Sequence, residues 1–155
     1  MMPRRAQIPK LGLLLLLLLL LPRCREDLPV ELPVLTTFTG ITETAEDGTV
    51  LSSDPDDWRS IIEAGLYVQP AYPNPCDRSS SFTISFRLSR PESLRITLND
   101  RIDHVARTVI SETVPAGPTK FKPAVAYMDT KIYRLYITVI RPDAEYTTYG
   151  DVDIR

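Results

Sequence analysis

Between Leu66 and Leu88 the chain reads LYVQPAYPNPCDRSSSFTISFRL: a short strand, a proline-locked corner, a polar turn and a strand of unbroken alternation. In that last strand Phe82, Ile84, Phe86 and Leu88 point one way, while Thr83, Ser85, Arg87 and Ser89 point the other. This is the period-2 pattern of a strand with one buried and one wetted face. The chain beyond Ser89 repeats it. Leu94, Ile96 and Leu98 alternate with Arg95, Thr97 and Asn99, and a third strand lies around Ala106 to Val114, where Thr108, Val109 and Ile110 are all β-branched. After the Pro115-Ala116-Gly117-Pro118 corner a shorter strand runs over Thr119 to Ala126. Pro123 removes a ladder donor from it and predicts an edge position. Ile132 to Ile140 sets Tyr133, Leu135, Ile137 and Val139 on one face, and Glu145–Ile154 is the last strand. With Leu66–Tyr72 this makes seven strands, and their spacing predicts an all-β, two-sheet antiparallel sandwich of immunoglobulin-like type over residues 65–155.

Composition agrees with that class. Fourteen prolines against six glycines, with seven tyrosines and one tryptophan, suit strands punctuated by rigid turns, and 155 residues leave room for one ordinary domain.

Upstream, residues 1–23 read as an address. Arg4, Arg5 and Lys10 precede an apolar run from Leu11 to Leu21, too short at about 1.5 Å per residue for a ~30 Å hydrocarbon core. A signal peptide is favoured over a signal anchor, and the protein is expected to be exported to the envelope or the cell surface. Cys24 directly behind the leucines resembles the lipidated cysteine of a bacterial lipoprotein, although Pro22 and Arg23 depart from the lipobox. Lipid on Cys24 would make the membrane a partner. With only Cys24 and Cys76, the alternatives are a disulfide between them or two free thiols.

Residues 24–64 read as an extended tether, with Pro29 and Pro33 in LPVELPVL. A hairpin is expected about Glu46-Asp47-Gly48. Asp54, Asp56 and Asp57 place three carboxylates within four residues. They are calcium candidates by proximity, but the central glycine and distal glutamate of an EF-hand loop are missing. A single helical turn over Pro55 to Ile62, capped by Asp54, is favoured, with Trp58, Ile61 and Ile62 packing onto the sandwich. No metal site and no cofactor are assigned.

Removing residues 1–23 takes away four cations, moving the formal charge from −2 to −6. An acidic chain argues against nucleic acid, whose affinity comes from clustered Lys and Arg. His104, the only histidine, sits among Asp100, Arg101 and Asp103 and reads as a solvated loop residue. No motif specifies a catalytic residue. Tyr146 and Tyr149, with Arg134 and Tyr136, form either an aromatic-cationic contact patch or ordinary cross-strand packing, the second being favoured.

The residues Ala71-Tyr72-Pro73-Asn74-Pro75, the alternating strand Phe82–Leu88, Leu94–Leu98, Pro115-Ala116-Gly117 and Ile132-Tyr133-Arg134-Leu135 together resemble a known family. It is the immunoglobulin-like C-terminal domain of the type IX secretion sorting domain (type A), with the related domain of the flagellar hook-capping protein. Tyr72, Pro73, Asn74, Pro75 and Tyr133 carry the signature. The resemblance covers roughly Leu66 to Arg155, and it implies a seven-stranded sandwich in an envelope or extracellular setting. Departures are Lys131-Ile132 before Tyr133, where the family usually has glycine, and an acidic rather than basic final strand. The expected function is a non-catalytic, lipid-anchored module for contact with an unknown protein partner. The alternatives are a type IX substrate whose C-terminal domain is the sorting signal and, after it, an enzyme.

Overall fold

The computed structural model describes residues 40–100, 106–126 and 128–155, which belong to one compact unit, Phe38–Arg155. The expected signal peptide, Cys24, the tether up to residue 39, and His104 lie outside the described residues. Nine strands are described and no helix: β1 (Glu43–Thr44), β2 (Val50–Ser52), β3 (Leu66–Tyr72), β4 (Thr83–Leu88), β5 (Glu92–Asp100), β6 (Ala106–Val114), β7 (Gly117–Phe121), β8 (Lys131–Ile140) and β9 (Glu145–Ile154). All pairings between these strands are antiparallel. A small β1-β2 ribbon accompanies a three-stranded sheet, β3-β4-β7, and a four-stranded sheet, β6-β5-β8-β9.

The alternation read from the sequence generates the core. Leu66, Val68, Ile84, Phe86 and Leu88 come from the three-stranded sheet, and Leu94, Ile96, Leu135, Ile137, Val139 and Val152 from the four-stranded one. All are buried in one cluster, the arrangement of a β-sandwich. Each such side chain contributes roughly 1.5–3 kcal/mol on burial, so this layer outweighs the exposed ion pairs at about 0–1 kcal/mol each.

Three features differ from the sequence-based expectation. β7 starts two residues earlier than expected and ends at Phe121, before Pro123. It does lie at a sheet edge, and the proline, lacking an N–H, marks where the ladder stops. No helical turn forms over Pro55 to Ile62. Asp54 does cap a turn, accepting from Asp56 N–H at its Oδ1 (3.3 Å) and from Asp57 N–H at its carbonyl (3.3 Å). Trp58 then adopts a left-handed φ of 55° and donates its N–H to Tyr149 O (2.7 Å), which ends any helical continuation. Trp58 is buried and Ile61 packs on the core, but Ile62 is exposed.

The third difference concerns residues 40–64, read as tether but built into the compact unit. The hairpin appears as expected, with Asp47 Oδ1 accepting from Thr49 N–H (2.8 Å) and Gly48 at a φ of 88°. Downstream, Ile61 and Leu66 exchange backbone hydrogen bonds of 2.8 and 3.1 Å. Arg141 donates to Ala64 O (2.9 Å). Pattern alone missed these ties because they reach across the chain rather than along it.

Candidate functional site

The Tyr72–Pro75 turn works as a fastener. Asn74 is fully buried. Its Nδ2 donates to Thr42 O (2.8 Å) and Asp151 O (2.9 Å), and its Oδ1 accepts from Asp153 N–H (2.9 Å). Its backbone exchanges two hydrogen bonds with Thr44 (2.7 and 3.3 Å). The flanking Tyr72–Pro73 and Asn74–Pro75 peptide bonds are cis. Cys76, a buried free thiol, donates its N–H to Asp153 O (2.9 Å) and accepts from Arg155 N–H (3.0 Å). Burial, with Asp153 and Asp77 nearby, pushes that thiol up to about 11, so at neutral pH it is an inert core group.

The three calcium candidates face different partners. Asp57 accepts from Thr42 N–H at Oδ2 and from Asp151 N–H at Oδ1, both at 3.1 Å. Asp56 accepts from the Tyr149 hydroxyl (2.9 Å), and Asp54 caps its own turn. Among the described residues no group of three acidic, His or Cys side chains is arranged to hold a metal ion. Burial first, then the Asp151 carboxylate, raises Asp57 to about 7 against the opposing pull of its two N–H donors. Asp151 is held by Arg134 through two parallel hydrogen bonds (2.8 and 2.7 Å), and the Arg134 guanidinium lies 4.3 Å over the Tyr149 ring. That pair of hydrogen bonds raises the Arg134 pKa further. Burial and the bond to Asp56 push the Tyr149 phenol up to about 12.

Arg134 and Tyr149 are therefore consumed in packing against their own sheet and the 54–58 turn. Tyr146 packs on the core with Arg141 5.0 Å over its ring. Tyr133 is buried, and its hydroxyl accepts from Asp129 N–H (3.0 Å) beside a depression of about 410 Å³ that also includes Leu98, Val109, Met128 and the ion-paired Lys131.

The outward face of β3-β4-β7 is different in kind. Register places Tyr67, Arg87 and Pro118 in one row across the three strands, and Gln69, Ser85 and Lys120 in the next. All of them except Lys120 line a shallow depression of about 300 Å³. Arg87 lies 6.0 Å from the Tyr67 ring centre and Lys120 lies 5.7 Å from that of Tyr72. Neither cation has a carboxylate partner among the described residues, a property shared with Arg59, Arg78, Arg107 and Lys122, whereas Arg90, Arg95, Lys131, Arg134, Arg141 and Arg155 are ion-paired. Strands β3, β4 and β7 contain no Asp or Glu at all. Sequence reasoning placed Ser85 and Arg87 outward but missed this face. The signal available was the absence of acid from three strands; the pairing of β4 with β7, which sets Arg87 opposite Pro118 31 residues on, was not legible.

Comparison with protein families, with curated proteins and with solved structures finds no match.

Proposed function

We propose that this chain is a non-catalytic immunoglobulin-like module of the cell envelope, held there by lipid on Cys24 and working by contact with another protein. Two observations support the immunoglobulin-like reading. Counted from Leu66, strands one, two and five form one sheet, and four, three, six and seven the other. This departs from the constant-type arrangement, in which the fourth strand joins the first sheet, but keeps the same sandwich order otherwise. Near the start of the sixth of these strands, the Tyr133 hydroxyl bonds the backbone four residues upstream. That is the geometry of a tyrosine corner.

The contact reading rests on β6. An uncovered strand edge offers a row of free N–H and C=O groups to another chain, and proteins commonly cover such edges. The β9 edge is closed by residues 57–58 and 74–78, and β3 is met by Ser60, Ile61 and Thr44. β7 is short and carries Pro118. β6 is nine residues long, has no proline, glycine or lysine, and lies at its sheet's edge with no partner on its outer side among the described residues. Such an edge suits strand addition by a protein partner.

The test joins both halves of the reading. Intact mass and membrane partitioning are measured for wild type and Cys24→Ser in the native host, with a photocrosslinking residue at the exposed Glu112 in β6. A lipid mass beginning at Cys24 and a discrete crosslinked protein, lost with Thr108→Pro, are expected. A soluble chain lacking lipid would remove the anchor, and export that depends on residues 66–155 would favour the sorting-signal alternative. An exposed β6 that crosslinks to nothing would remove the contact.

A further inference from the structure

The two outer faces of the sandwich are built on opposite principles. Across β5, β8 and β9 of the four-stranded sheet, charges and hydroxyls are matched between strands: Arg95 with Glu145, Arg134 with Asp151, Thr138 with Thr147. The compact unit as a whole is acidic, with thirteen Lys and Arg against seventeen Asp and Glu between residues 38 and 155. Yet on the three-stranded sheet Arg87 and Lys120 stand exposed on adjacent strands with no acid between them. As diagonal neighbours they are about 7–8 Å apart at Cα, close enough for like charges to disfavour one another. An anion bound between them relieves that repulsion.

From this face we infer a binding site for an acidic polysaccharide, one carrying a carboxylate on its sugar ring. The side chains supply each kind of contact such a ring requires. Tyr67, 45% exposed, and Pro118 present apolar surfaces at the two ends of one row. In the next row the exposed Gln69 offers its amide to sugar hydroxyls, beside the largely buried Ser85. The Arg87 guanidinium takes the carboxylate through two parallel hydrogen bonds, and Lys120 adds a point charge beside it.

Competing anions fit less well. Backbone groups of β4 are engaged on both sides by β3 and β7, so an extended acidic peptide finds no ladder to join here. A membrane surface calls for a larger basic cluster than two cations. Nucleic acid meets an acidic protein. Sugar binding at this face requires neither lipid on Cys24 nor a partner on β6, so its loss would leave both of those readings standing.

The experiment is affinity electrophoresis of the full chain, in non-ionic detergent, through gels containing polygalacturonate, neutral dextran or poly-glutamate. Retardation by polygalacturonate alone is expected. Arg87→Gln and Lys120→Gln should each weaken it by about tenfold, the loss of a charge-assisted contact. Arg107→Gln, an equal loss of charge on exposed β6, should leave it unchanged. All three positions are exposed, and thermal melts confirm that each variant is folded. No retardation by polygalacturonate overturns the inference. Equal retardation by poly-glutamate overturns it in favour of an acidic protein, and an undiminished shift in Arg87→Gln removes the site from this face.

Discussion

Asp57 puts a carboxylate where the fold needs two acceptors but has little room for charge. It accepts from Thr42 and Asp151 N–H, yet burial and the neighbouring Asp151 carboxylate raise it to about 7, even with Arg134 bound to Asp151 and with Asp54 adding to the repulsion. A carboxyl whose folded pKa lies above its unfolded value near 3.8 favours the folded state fully below that value, and the benefit is lost as pH rises through 7. Urea unfolding should therefore show stability falling between about pH 4 and pH 7, by at most about 4 kcal/mol from this group. Asp57→Asn should flatten that slope whatever its effect on absolute stability; a slope that persists in the variant would assign it elsewhere. Gly150 makes a steric demand of its own. A Cβ there would stand 2.1 Å from Trp58 Cε2, in the middle of the indole. Gly150→Ala must expel the ring from a buried position, costing about 1–3 kcal/mol or more. The check is a lowered melting temperature with a red-shifted tryptophan emission, which only Trp58 can report.

At the scale of elements, β9 is the strand that the rest of the unit closes over. Its outward N–H and C=O groups from Tyr149 to Arg155 meet Trp58, the Asp57 carboxylate, Asn74, Cys76 and Arg78 in turn. Asn74→Ala strips partners from Thr42 O, Asp151 O and Asp153 N–H in one step. At about 1–3 kcal/mol for each buried group left unpaired, a loss of at least about 3 kcal/mol is expected in chemical unfolding. A loss below about 1 kcal/mol would mean that water replaces the amide. The strands themselves were legible because period-2 alternation is a local signal: Phe86 and Leu88, or Leu135 and Ile137, declare their faces to their own neighbours. Asn74 stood inside a recognisable Tyr-Pro-Asn-Pro turn, but its role was hidden, since Asp151 and Asp153 lie 77 and 79 residues away. Trp58 was legible as an apolar residue that packs. Its place on Gly150 was not, and the helical spacing of Trp58, Ile61 and Ile62 suggested a regular element where β9 instead imposes a turn.

For the whole molecule the question is where the folding unit begins. Residues 66–155 contain all seven strands of the two larger sheets, and by pattern alone they look sufficient. Three kinds of contact contradict that. The 57–58 segment closes part of the β9 edge, Trp58 fills core volume beside Gly150, and Arg141 ties β8's end to the carbonyls of Glu63 and Ala64 as well as to Glu92. Removing residues before 66 would unpair edge groups, empty an indole-sized cavity and free one end of the part-buried Arg141 cluster. Loss of a buried Trp side chain alone costs about 3–5 kcal/mol, a large part of the 5–15 kcal/mol by which a domain is ordinarily stable. A chain starting at Phe38 should show a cooperative, reversible melt, while one starting at Leu66 should bind a hydrophobic dye and be cleaved rapidly by protease. Melting temperatures for the two within a few degrees of each other would refute this. The outcome also bears on transport: a sorting signal that acts as a transferable tag needs a C-terminal domain that folds unaided, and a unit that closes only with residues 38–64 in place is better suited to display as one whole.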